Sequence, residues 1–125
     1  MILNDALNVL EIAKREALKN GIPMTIAVYN SKGEMLAYQK MDYAAEVSVK
    51  LAPAKAITAL RLGCDTEKVS YLGLPTGILA NLFHDENLSF YGGGKLLVSN
   101  GEIVGSIGVS GGPEKLDVEI AYTAS

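Results

Sequence analysis

The sequence predicts an α/β domain of the α+β kind, in which an antiparallel sheet built from two hairpins is flanked by helices. Three observations carry this. A turn at Asn30-Ser31-Lys32-Gly33 and another at Asn100-Gly101 each separate two strand-like runs. An amphipathic helical pattern opens the chain, and a helix started by Pro113 closes it. Strands that come in hairpins pair antiparallel, whereas a doubly wound sheet needs strand–helix–strand crossovers. A length of 125 residues suits one domain, read as residues 1–125, and 49% apolar residues supply a core.

The elements follow in order. Asn4 is the expected cap of a first helix starting at Asp5. Ala6, Val9, Leu10, Ala13 and Ala17 recur at helical spacing on its core side. Gly21 and Pro23 end it. Met24 to Tyr29 and Glu34 to Lys40 read as the first hairpin. A second helix is expected over residues 46–62, with a stripe of small residues at Ala52, Ala56, Ala59 and Gly63. Pro53 should bend or restart it, because proline removes a backbone donor. Asp65-Thr66-Glu67 opens a short helix through Leu72. Residues 73–90 read as loop with one helical turn near Ile78 to Phe83. Lys95 to Ser99 and Glu102 to Ser110 form the second hairpin around Asn100-Gly101, a pair suited to a type I′ turn because both residues need positive φ. Gly111-Gly112 breaks the sheet, and Pro113 is placed at N1 of a last helix with Glu114 in its first turn.

Composition narrows the function. A net charge of -3, scattered basic residues and no tryptophan give no nucleic-acid footprint. A single cysteine, Cys64, excludes an intrachain disulfide and a cysteine-based zinc site within one chain. No apolar run reaches the roughly 20 residues that cross a bilayer. Met1-Ile2-Leu3-Asn4-Asp5 lacks the charged and apolar regions of a secretory leader, so the expected address is cytoplasmic, with no membrane partner.

Several motifs invite chemistry. Tyr91-Gly92-Gly93-Gly94-Lys95 resembles a phosphate loop but has Leu96 where a hydroxyl residue belongs, Ser89 where the first glycine belongs, and a strand after it. Gly105, Gly108 and Gly111 mark a bulge or a close approach, either by another backbone or by a ligand. Cys64 reads as a buried, inert thiol. His84 is the only histidine, so any Ser-His-Asp set would have to use it, and its polar surroundings favour a surface role. Lys55 stands in an apolar helix with Ser48 and Thr58 near one face. It either snorkels to solvent or offers a cation to a carboxylate ligand in a pocket. Asp42 and Glu46 are either helix-capping acids or a carboxylate pair.

Thr25 to Gly33 followed by Met41-Asp42 resembles the opening "S-I-A-V-x-D-x-x-G…M-D" of one family. Leu51 to Ala59 is similar to its "A-x-x-K-A-x-T-A" helix. Gly92-Gly93-Gly94, Asn100 to Gly112 and Asp117 resemble its glycine-rich close. This is the GlcG/HbpS family, which is similar to the C-terminal domain of PduO-type proteins, and the resemblance covers nearly the whole chain. Tyr91-Gly92 replaces the family's proline-rich approach to the glycines, and the first helix lacks a histidine that heme-binding relatives can use.

The resemblance implies a profilin-like fold, homo-oligomers and a small-molecule ligand, with members described as heme-binding or heme-degrading. Others stand beside cobalamin-dependent diol and glycerol metabolism or glycolate use. On this reading the chain is a tetrapyrrole-binding accessory protein with heme as its ligand. Lys55, Ser48 and Thr58 would face a pocket closed by Gly92, Gly93, Gly94 and Ser110. His84 would be the axial ligand, since one imidazole suffices to hold a heme iron. The alternatives are an enzyme, or enzyme partner, acting on a small organic acid or aldehyde through Lys55 as cation or nucleophile, and an oligomeric assembly module without a ligand.

Overall fold

A computed structural model describes residues 1–70 and 87–125. The element order is α1 (Leu3–Asn20), β1 (Thr25–Asn30), β2 (Met35–Lys40), α2 (Ser48–Leu62), α3 (Thr66–Val69), β3 (Gly94–Ser99), β4 (Glu102–Ser110) and α4 (Glu114–Ala124). The four strands form one antiparallel sheet in the order β2-β1-β4-β3. The two hairpins therefore meet along β1 and β4, where Thr25 pairs with Ser110 and Asn30 with Gly105. The α+β sheet with flanking helices is as the sequence predicts. The helical turn expected near Ile78 to Phe83, and His84 itself, lie outside the described residues.

Strand alternation sorts side chains to two layers. Ile26, Val28, Ile107 and Val109 point to one face and pack with Ala6, Leu10, Ala13 and Ala17 of α1 and Ile120, Ala121 and Ala124 of α4. Ala27 and Tyr29 point to the other, against Ala52 and Ala56 of α2. Small residues let α2 sit close to the sheet. A Cβ on Gly108 would strike the carbonyl of Ala52, and Ser106 Oγ donates to the carbonyl of Ala56 at 2.8 Å. Of the two explanations for the strand glycines, the backbone approach is the one seen at Gly108 and Gly105, where the neighbour is the carbonyl of Tyr29.

The helix ends differ in detail from expectation. α1 starts at Leu3 rather than Asp5, and the cap is not Asn4: the Asp5 carboxylate reaches back to accept from the Ile2 backbone N–H at 3.0 Å. Gly21 ends α1 and Gly63 ends α2, both in the left-handed conformation at φ 68° and 64°. α2 starts at Ser48, two residues later than expected, and runs through Pro53 without restarting. Pro53 lies within the second turn, so only one interior hydrogen bond is forfeited. α3 stops at Val69. Pro113 is the residue before α4 rather than its first, with extended ψ of 144°. Asn100 and Gly101 both take positive φ, as the type I′ turn requires. No helix of the described residues is long and apolar enough to cross a membrane.

Candidate functional site

Lys55 does not snorkel. It is buried beneath α4, where its Nζ donates to Asp117 Oδ2 at 3.0 Å and to the carbonyl of Val109 at 3.0 Å. Asp117 is fixed in turn: its Oδ1 accepts from the Gly112 N–H at 3.0 Å. Burial pushes the Lys55 ammonium below the usual lysine range, against the attraction of Asp117. Burial also pushes the Asp117 carboxyl above the usual range, against the attraction of Lys55. Both shifts favour the uncharged forms, because desolvation outweighs mutual attraction.

The other predicted residues separate into those near this pair and those locked elsewhere. Ser110 lines a cleft of about 190 Å³ together with Lys55, Asp117, Glu114 and the Gly111-Gly112 turn. Ser48 is buried at the start of α2, where its Oγ bonds Thr25 Oγ1 at 2.7 Å and the carbonyl of Ala45. Thr58 Oγ1 donates to the carbonyl of Ala54 and accepts from the Ser89 N–H at 2.9 Å. Both hydroxyls thus hold α2 to its neighbours. The glycine triplet is packed tightly by protein. A Cβ at Gly94 would strike the Lys55 carbonyl, one at Gly93 would lie 2.5 Å from the Val109 carbonyl, and one at Gly92 would lie 2.5 Å from Val118 Cγ2. Gly92 N–H also donates to Glu114 Oε1 at 2.7 Å.

A second concavity went unread in the sequence. A groove of about 500 Å³ runs between the end of α1 and the end of β2, and its lining includes Lys14, Gln39, Lys40, Met41 and Tyr43. Tyr43 is 94% exposed and holds φ at 70°, a conformation that costs a non-glycine residue free energy. Gln39 Oε1 is buried with no hydrogen-bond partner among the described residues. Ligand pockets commonly measure ~300–1,000 Å³, which admits this groove and leaves the Lys55 cleft suited to a molecule of a few heavy atoms. The Met41-Asp42 pair was the available signal, though it spoke for the family rather than for a groove. Among the described residues no cluster of three or more His, Cys, Asp or Glu could hold a metal ion.

Comparison with known proteins agrees with the fold. The chain is 30% identical over 121 residues to a 15.0 kDa protein in the dhaT–dhaS intergenic region of Citrobacter freundii, covering 95% of this chain and 85% of that one. It is 29% identical over 123 residues to the corrinoid adenosyltransferase PduO of Salmonella typhimurium, covering 97% of this chain and 37% of PduO, so it spans little more than a third of that relative. Among solved structures, the PduOC:heme complex superimposes with a TM-score of 0.90 at 28% identity, covering 99% of this chain and 91% of that one. HbpS superimposes with a TM-score of 0.88 at 26% identity, covering 99% and 86%. A family model described as "Haem degrading protein HbpS-like" matches residues 1–125, and the chain belongs to this HbpS-like family.

Proposed function

We propose that the chain is a small-molecule-binding accessory protein whose ligand is a tetrapyrrole of the heme type, seated in the groove between α1 and β2. The observation that carries this reading is Gln39, which lines a groove of about 500 Å³ and whose buried Oε1 has no hydrogen-bond partner among the described residues. A buried acceptor without a donor costs roughly 1–3 kcal/mol, so its presence beside a concavity points to a partner that arrives with the ligand. A half-turn of the same carboxamide would present Nε2 in its place, a donor for a propionate.

The donor set fits heme. Tyr43 carries a phenol and Met41 a thioether, side chains of the kinds that serve as axial ligands to heme iron, although the Met41 Sδ already accepts from the Met24 N–H at 3.4 Å. Lys14 and Lys40 supply cations for propionates. His84 stands with Met41 and Tyr43 as a candidate ligand, by its imidazole alone. The Lys55 cleft fits this ligand less well, being smaller and having its cation already paired. The PduOC:heme neighbour supports the ligand class, and the PduO relatives support a place beside cobalamin-dependent diol or glycerol metabolism.

Self-association belongs to the same reading. Leu3, Leu7 and Leu18 of α1 are exposed, which leaves apolar surface for a second copy. Hemin titration followed in the Soret region tests the proposal. A saturable band is expected, altered by whichever of Met41→Ala, Tyr43→Phe or His84→Ala removes the ligand; no saturable change would end the heme reading. Native mass spectrometry of the same samples reads subunit number.

A further inference from the structure

The Lys55–Asp117 pair lies apart from the α1–β2 groove and lines its own cleft. A buried ion pair is a weak device for stability, since apolar residues of the same volume commonly do as well. Chemistry gives it a use. Two of the three Lys55 donors are committed, to Asp117 and to the Val109 carbonyl. The Asp117 carboxylate is clamped by the Gly112 N–H on one oxygen and Lys55 on the other, so it can take and return a proton without moving.

The charges of the cleft select its ligand. Lys55 and Asp117 cancel whichever of them holds the shared proton, and Glu114 adds a further carboxylate. A carboxylate is therefore disfavoured despite the lysine, and an uncharged polar molecule is admitted. The volume of about 190 Å³ restricts that molecule to a few heavy atoms. We infer that Lys55 captures a small neutral aldehyde as a Schiff base, with Asp117 shuttling the protons.

The step balances without an oxidant or reductant. Asp117 accepts a proton from the Lys55 ammonium, and the freed amine forms a C–N bond to the carbonyl carbon. The nitrogen's extra proton passes to the former carbonyl oxygen, giving a neutral carbinolamine. Asp117 then protonates the hydroxyl, the C–O bond breaks, and water leaves. The product iminium keeps the positive charge that Lys55 had, so its pairing with Asp117 survives the reaction. Burial, by disfavouring the ammonium, keeps a larger share of reactive amine at neutral pH than an exposed lysine has.

The test uses the full chain without added hemin, treated with propionaldehyde and cyanoborohydride and mapped by peptide mass spectrometry. The expected result is a propyl group on Lys55 at about tenfold or more the rate of exposed lysines such as Lys32 and Lys115 near neutral pH. The rate at Lys55 should rise with pH and level off once its lowered pKa is passed. Glyoxylate should give no such preference. Asp117→Asn should slow labelling of Lys55 and change its pH profile, and Lys55→Arg should abolish the fast adduct. Labelling of the exposed lysines with Lys55 left unmodified, or equal preference for glyoxylate, overturns the inference. The wild-type map decides the matter even where a variant fails to fold.

Discussion

Lys55 Nζ stands 3.0 Å from Asp117 Oδ2, and both side chains are 3% exposed, so one ion pair ties the middle of α2 to the first turns of α4 across the end of β4. Removing either partner leaves a buried charge without its counterion. Lys55→Met or Asp117→Leu alone is expected to cost about 3–5 kcal/mol, whereas the double variant should recover most of that loss. Urea unfolding of all four proteins measures the coupling. Single variants that unfold like the wild type would show that the pair is neutralised by some other route.

The same pair sets a pH dependence whose sign follows from the two shifts. Asp117 has its folded pKa raised, so the folded state holds its proton more tightly than the unfolded state. Its contribution to stability therefore falls as pH rises from the ordinary aspartate value through the raised one. Lys55 has its folded pKa lowered, so the unfolded state binds more protons, and stability rises as pH climbs from the lowered value toward the ordinary lysine value. Relative to the Lys55→Met/Asp117→Leu double variant, the wild type should be least favoured at intermediate pH and gain toward both extremes. Unfolding free energies of both proteins across pH check this; a wild-type advantage that peaks at neutrality would reverse the assignment.

Local features of the fold were legible because the signal and the structure occupy the same few residues. Asn100-Gly101 specifies its turn by what φ values those residues tolerate, and Gly21 stops α1 for the same reason. Asn4 misled because Asp5, one residue on, can reach back to the same helix end. The partner of Lys55 lies 62 residues away, beyond any periodicity argument. A trace of it was nonetheless present: Asp117 falls on the buried stripe shared with Ile120, Ala121 and Ala124, where an unpaired carboxylate has no place. The α1–β2 groove left less trace. It is assembled from elements far apart in sequence, and nothing in tyrosine as a residue type announces the positive φ of Tyr43.

Two kinds of glycine should respond differently to alanine. At Gly108 and Gly94 the added Cβ meets the carbonyls of Ala52 and Lys55, so α2 must lift from the sheet. That resembles overpacking and should cost about 1–3 kcal/mol or more. At Gly33 the added Cβ meets open space, and only the φ of 80° opposes it, which should cost about 1 kcal/mol. Thermal unfolding of the three variants ranks the two mechanisms. A Gly33 variant less stable than the Gly108 variant would mean that α2 yields more readily than its contacts with β1, β3 and β4 suggest.

Gln39 offers the sharpest separation of stability from binding. Its buried Oε1 has no partner among the described residues, so Gln39→Leu should remove a penalty and raise stability by about 1 kcal/mol. The same change deletes a polar group from the wall of the proposed heme groove and should weaken hemin binding. Opposite movement of the two quantities is what a binding residue held at a cost to stability produces. Thermal unfolding without hemin and Soret titration with it, done on the same variant, measure both. If the variant is more stable and binds hemin as before, Gln39 is an imperfection of the fold and the groove loses its main support; if it is less stable, the carboxamide has a structural partner that its burial conceals.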